Sequence, residues 1–194
     1  MSGLRIGVLV SGSGSNLQSI IDAVEAGNLK SEIVCVLSNK EQAFGLERAR
    51  KHGIPACFVN PKEADYDVKV LKCLQTHGVD LVVLAGYLKI VDANMIEAYK
   101  GRMINIHPSL LPKFGGKGYY GIKVHEAVLA AGEKESGATV HFVEVGIDTG
   151  ETILQEKVPV YETDTPDELQ KRVLHEVEHK ILVKAIKKLE EERA

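Results

Sequence analysis

No apolar run in this 194-residue chain approaches the ~20 residues needed to span a bilayer, which excludes a membrane-spanning helix. The first apolar stretch, Leu4–Val10, begins almost at the initiator Met and runs directly into a polar, glycine-rich turn. It is too short for the core of an export signal. An excess of positive charge is also missing. Lys and Arg number 24 against 27 Asp and Glu, a formal net charge of −3, without the basic cluster that a nucleic-acid surface requires. Cysteine is scarce: Cys35, Cys57 and Cys73 form an odd, widely spaced set with no C-x-x-C, which argues against a disulfide framework and fits a reducing compartment. Cys35, inside the apolar run Ile33–Leu37, reads as a buried, inert thiol. Repeats, linkers and low-complexity tracts are lacking as well. These absences leave one cytoplasmic domain over 1–194, large enough to bury roughly 70% of its unfolded surface.

What is present alternates short apolar runs with helical periods. Leu4–Val10, Ile33–Leu37, Ala56–Val59 and Asp80–Ala85 read as strands, and Asn16–Ala26, Gly45–His52 and Tyr66–His77 as helices between them. Strands without polar alternation, separated by helices, predict a mostly parallel, twisted α/β sheet covered on both faces. In the second half Met103–His107 is a strand stopped by Pro108. Pro108–Gly118 is a loop and Lys123–Ala131 a helix, and Ala138–Val143 and Thr152–Val158 alternate like an antiparallel sheet edge. Thr165, Pro166 and Glu168 have the spacing of a capping box that opens a last, long helix.

Ser11-Gly12-Ser13-Gly14-Ser15-Asn16 joins the first strand to the first helix. Small residues there let a ligand approach the backbone, and a helix N-terminus suits an anion. A dinucleotide is not indicated, because Leu17 stands where a third glycine belongs, and Ser38 and Asn39 stand where an acidic residue would close the second strand. The Gly-Lys-Ser/Thr of a nucleoside-triphosphate loop is missing too. The loop is therefore a candidate site for one phosphate, held by N–H groups and the hydroxyls of Ser13 and Ser15.

The stretch Asn105-Ile106-His107-Pro108-Ser109-Leu110-Leu111-Pro112 carries the chemistry. Strand alternation puts Asn105 and His107 on one face, at the C-terminal end of a strand where open α/β sheets bind ligands. An amide donor beside an imidazole can stabilise an oxyanion while moving protons, as acyl transfer to an amine requires. Asp148, in the glycine-bracketed Gly146–Gly150 loop, is a candidate partner that would raise the His107 pKa and orient the ring.

Ser11–Asn16, Ala85-Gly86-Tyr87-Leu88-Lys89-Ile90, Asn105–Pro112 and Asp148-Thr149-Gly150 occur together and in this order, and the chain resembles the phosphoribosylglycinamide formyltransferases over essentially its whole length. The resemblance implies a Rossmann-like formyltransferase domain with a phosphate-binding half (1–100) and a catalytic and folate-binding half (101–194). It implies transfer of the formyl group of 10-formyltetrahydrofolate to the amine of a phosphoribosyl glycinamide in purine synthesis, with no metal. Gly12, Ser13, Gly14, Ser15 and Asn16 would hold the substrate phosphate, and Glu178 would contact the substrate near its amine. Asn105, His107 and Asp148 would be catalytic. Leu88, Lys89, Ile90 and Val91, with Asn105, Val143 and Asp148, would border the folate. The partners implied are these two small molecules, with the chain a monomer or weak homodimer. Three departures stand out. Phe114-Gly115-Gly116 replaces an aromatic-Pro-Gly turn and predicts a looser loop, Glu151 replaces a proline, and only Lys62 is near the place of a folate-binding arginine.

Other readings compete. A formyltetrahydrofolate hydrolase or an initiator-tRNA formyltransferase would use the same motif, although each usually carries an additional domain. A non-catalytic phosphometabolite-binding module would use only the glycine loop. His175-Glu176-Val177-Glu178-His179 matches the H-E-x-x-H pattern of zinc hydrolases, but the downstream carboxylate Glu190 would lie ~16 Å along the helix from His179, far outside a metal's ligand shell. Leu169, Val173, Val177, Ile181 and Ala185 instead recur as a buried stripe that the two histidines flank. His141 has no partner visible in the sequence, although its place after Thr139 and Val140 in a strand is compatible with facing the site.

Overall fold

The near-continuous apolar runs become interior strands. A computed structural model describes residues 3–193, and its seven strands form one sheet in the order β3-β2-β1-β4-β5-β6-β7. The strands are β1 (Arg5–Val10), β2 (Glu32–Ser38), β3 (Ala56–Phe58), β4 (Leu81–Leu84), β5 (Met103–His107), β6 (Glu135–Phe142) and β7 (Thr152–Pro159). β1 to β5 pair in parallel, whereas β6 and β7 run antiparallel along one side. β1 lies between β2 and β4, so the chain reverses its direction of travel across the sheet there, and a crevice opens at the C-terminal strand ends.

Alternation along the strands sorts side chains to two faces. Ile6, Val8, Val10, Val83, Ile104 and Ile106 join one core cluster with Leu17 and Ile20 of α1 (Ser15–Glu25) and Ile181 of the last helix. Leu9, Leu37, Val82, Leu84 and Met103 join the other with Tyr66, Val70 and Leu74 of α3 (Tyr66–Thr76). Gly7 is required by this second layer, since a Cβ there would come within 2.8 Å of Leu74 and 2.9 Å of Val79. α2 (Phe44–Lys51) and α5 (Ile122–Ala130) fall within a residue of their predicted bounds. α4 (Ala93–Ala98) was not expected. It is six residues long, capped by Asp92, and buries only Met95, too little for a readable period.

The last helix is not continuous. α6 (Pro166–Val173) starts at Thr165, whose side chain accepts from the Glu168 amide while Glu168 accepts from the Thr165 amide. A π-helical turn over Leu174–Glu178 then separates it from α7 (His179–Glu192). Leu169, Val173, Val177, Ile181 and Ala185 are all buried as the stripe predicted. At the far end, Glu190 accepts from the Lys30 and Ser31 amides and the Ser31 hydroxyl, tying α7 to the entry of β2. Among the described residues no helix is long and apolar enough to cross a membrane. Thr165→Ala is expected to cost about 1 kcal/mol in urea denaturation by removing the cap.

Candidate active site

β6 brings the second half of the site to β5. In the antiparallel register Asn105 lies opposite His141 and His107 opposite Thr139. Asn105 Nδ2 is 3.1 Å from His141 Nε2, and His141 Nδ1 is 2.8 Å from the Phe142 carbonyl. A carbonyl only accepts, so the His141 proton sits on Nδ1 and Nε2 accepts from Asn105. His141 therefore belongs to the cluster although no partner for it was visible in the sequence. The signal was its alternation with Thr139, readable only once the strand register is known.

Asp148 lies between the two imidazoles: Oδ2 is 3.5 Å from His107 Nδ1, and Oδ1 is 3.6 Å from His141 Nε2. Oδ2 also accepts from the Gly116 amide at 3.0 Å. Burial pushes the Asp148 carboxyl up, but attraction to His141 and His107 when these rings are protonated, together with this amide, outweighs it and holds its pKa below the ordinary value. Asp148 raises the His107 pKa as expected, and so does the Phe114 carbonyl. Burial is nevertheless the largest effect and, with repulsion from His141, makes the net shift downward, so the neutral ring predominates at pH 7. Its Nε2 donates to the Phe114 carbonyl at 2.8 Å, which leaves Nδ1 bare beside Asp148. Asp148 and Phe114 are the described non-glycine residues with positive φ, 56° and 53°. The 112–116 turn, expected to be loose, is thus anchored on both His107 and Asp148.

Across the crevice, the glycine loop is pinned from behind. Ser11 Oγ donates to Asn39 and accepts from the Leu88 amide, linking the ends of β1, β2 and β4. Gly14 has φ 69°, and a Cβ on it would lie 2.6 Å from Gly45 Cα, so only glycine fits. Arg48 donates to the Ser13 carbonyl. No side chain caps α1 and its first turn carries no acid, which leaves its positive end available to an anion. Ser13 is exposed and Ser15 half-buried, but the Asn16 side chain turns inward and donates to Glu178 at 2.8 Å. Only the Asn16 backbone remains for a phosphate. Burial drives the Glu178 carboxyl up to about 7 against the lowering effect of Asn16.

Leu88 and Ile90 are 53% and 71% exposed, and Val145 and Ile147 are exposed on the β6–β7 loop. Val91 and Val143 pack on the same core cluster beneath them. Such uncovered apolar side chains suit a largely apolar ligand. Lys89 lies over the Tyr66 ring and 3.4 Å from Asp67. His175 and His179 are edge to face at 5.2 Å in and beside the π-helical turn, and no group of three or more potential metal ligands occurs among the described residues.

Residues 4–186 match the formyl transferase family. This chain belongs to that family. It is 44% identical to the chloroplastic phosphoribosylglycinamide formyltransferase of Arabidopsis thaliana, over 97% of this chain and 66% of the relative. With the phosphoribosylglycinamide formyltransferase of Haemophilus influenzae it is 42% identical, over 94% and 85%. The chain thus spans slightly less than two thirds of the plant formyltransferase. The structure of glycinamide ribonucleotide transformylase 1 from Symbiobacterium toebii superposes with a TM-score of 0.92 at 44% identity, covering 98% of this chain and 89% of that one. A formyltetrahydrofolate deformylase from Pseudomonas syringae superposes at 0.88 with 28% identity, covering 99% of this chain and 63% of that one.

Two titrations follow from the buried groups. By NMR, His107 titrates below 6.5, and Asp148→Asn moves it lower still because the partner that favours the imidazolium is gone. The raised folded pKa of Glu178 means that stability falls as pH climbs from 4.5 to about 7 and is flat above. Glu178→Gln is therefore expected to gain stability over the parent across that window, read from urea denaturation at pH 5, 6, 7 and 8.

Proposed function

We propose that this chain transfers the formyl group of 10-formyltetrahydrofolate to the amine of N1-(5-phospho-D-ribosyl)glycinamide, in cytoplasmic purine synthesis. The observation that carries this reading is a neutral His107 beside an ionised Asp148, on the strand face it shares with Asn105 and at the crevice that also holds the glycine loop.

In this reading Gly12, Ser13, Gly14, Ser15 and the Asn16 backbone hold the phosphate, and Glu178 faces the glycinamide end. Leu88, Lys89, Ile90, Val91, Val143 and the β6–β7 loop border the folate. The amine nitrogen bonds to the formyl carbon while Asn105 donates to the oxygen as it gains negative charge. His107 Nδ1 accepts the proton lost by that nitrogen, and Asp148, 3.5 Å away, stabilises the imidazolium. His107 then returns the proton to the folate nitrogen as its bond to the formyl carbon breaks. The products are the formamide and tetrahydrofolate, and the imidazole ends neutral as it began. Burial of His107 serves this cycle, since the ring begins each turnover as a base.

The likeness to the Pseudomonas syringae deformylase gives a second reading, in which water replaces the amine. Tetrahydrofolate release measured with the glycinamide ribonucleotide, with initiator methionyl-tRNA and with water alone separates these. Release that requires the ribonucleotide supports the transfer, release with water alone the hydrolase, and release only with the tRNA the initiator enzyme. His107→Ala is expected to lower kcat by about 10²–10⁴-fold and Asn105→Ala by about 10²–10³-fold. Retention of parental kcat in both variants would remove the proposed mechanism.

A further inference from the structure

His107 owes its tautomer to a single backbone carbonyl, that of Phe114. Asp148 is ionised and faces Nδ1, so electrostatics alone would draw the imidazole proton to Nδ1 and take away the free lone pair. The Phe114 carbonyl opposes this by accepting from Nε2. Its position therefore decides which nitrogen is the base. Yet it belongs to no strand or helix, and Phe114 occupies a left-handed conformation that an L residue keeps only when held from outside.

The hold comes from the antiparallel strands. Ser109 is fully buried and its hydroxyl donates to the Lys113 carbonyl at 2.6 Å, with Phe114 O at 3.4 Å. The Ser109 carbonyl in turn accepts from the Thr139 hydroxyl at 2.7 Å. That hydroxyl has one proton and spends it there, so its lone pairs accept from the Leu111 amide and from Gln155 Nε2, at 3.2 and 2.9 Å. Gln155 Nε2 also donates to the Leu111 carbonyl at 3.0 Å. Because a carbonyl only accepts, that contact fixes which end of the amide is nitrogen. Leu111 is thereby gripped at its amide by Thr139 and at its carbonyl by Gln155. Gln155 reaches it from β7, the outermost strand, opposite Thr139 in the β6–β7 register.

We propose that Gln155 is a positioning residue for His107: it clamps Leu111 and, through Thr139 and Ser109, keeps the Phe114 carbonyl where it pins the imidazole proton on Nε2. This role rests on His107 acting as the base in formyl transfer, but the tautomer can be read without turnover. Gln155 is itself an exposed edge-strand residue, so substituting it removes a hydrogen-bond donor and no core volume.

The test is ¹⁵N NMR of the full chain labelled at histidine, with the His107 signals assigned by their loss in His107→Ala. The parent shows the proton on Nε2. Gln155→Met, of similar length and without a donor, is expected to shift the population towards Nδ1–H. It should also lower kcat about ten- to hundredfold, with KM for both substrates little changed. Gln155→Lys, which keeps a donor for the Leu111 carbonyl, should recover both. A parental His107 spectrum in Gln155→Met overturns the proposal, and so does a Gln155→Lys spectrum no different from Gln155→Met. If the parent shows no turnover that depends on the glycinamide ribonucleotide while the tautomer shifts as expected, the functional reading fails and the clamp stands.

Discussion

The register in which β6 runs back along β5 is the constraint on which the rest of the site depends. It sets His141 opposite Asn105 and Thr139 opposite His107, which brings the three polar neighbours of the crevice and the hydroxyl that supports the turn beyond it to one place. A slip of one residue would turn His141 and Thr139 to the opposite face and bring Val140 in their place. The pairing of β6 with β7 shifts between Val140 and His141. The parallel part of the sheet supplies a strand end. The antiparallel part supplies what makes that end chemically specific.

Charge and burial are balanced unequally within this cluster. His107 and the ionised Asp148 are close enough to attract once the ring is protonated, yet desolvation of the imidazole is the larger effect, while the carboxylate accepts from the Gly116 amide. The pair thus rests as a neutral base beside an anion and is poised to gain from protonation. Glu178 is the opposite case. It is buried where Asp148 is half-buried, has only Asn16 to support it, and its carboxyl rises towards neutrality.

Much of this was legible in the sequence because it rests on local pattern. The apolar runs of β1, β2 and β4, the Thr165 capping box and the buried stripe through Ala185 are written in neighbouring residues, and the structure contains each of them. Asn105 and His107 were readable as a pair because two residues of a strand share a face. What was not legible depends on contacts far apart in the chain. His141 needed the β5–β6 register, the downward shift of His107 needed its burial, and the Phe114 carbonyl carries no side-chain signature at all. The π-helical turn was hidden because its residues suit an ordinary helix; within it Val177 and Glu178 are buried.

The hydrogen bond from Asn16 to Glu178 joins residues 162 positions apart. Glu190 makes a second such closure on Ser31. The glycine loop is therefore synthesised well before its buried partner. A nascent chain can form β1, α1 and the strands that flank them long before the π-helical turn exists, but it cannot yet seat Asn16. Seating Asn16 therefore couples the glycine loop to the last helical segment, and the loop is complete only when both are present.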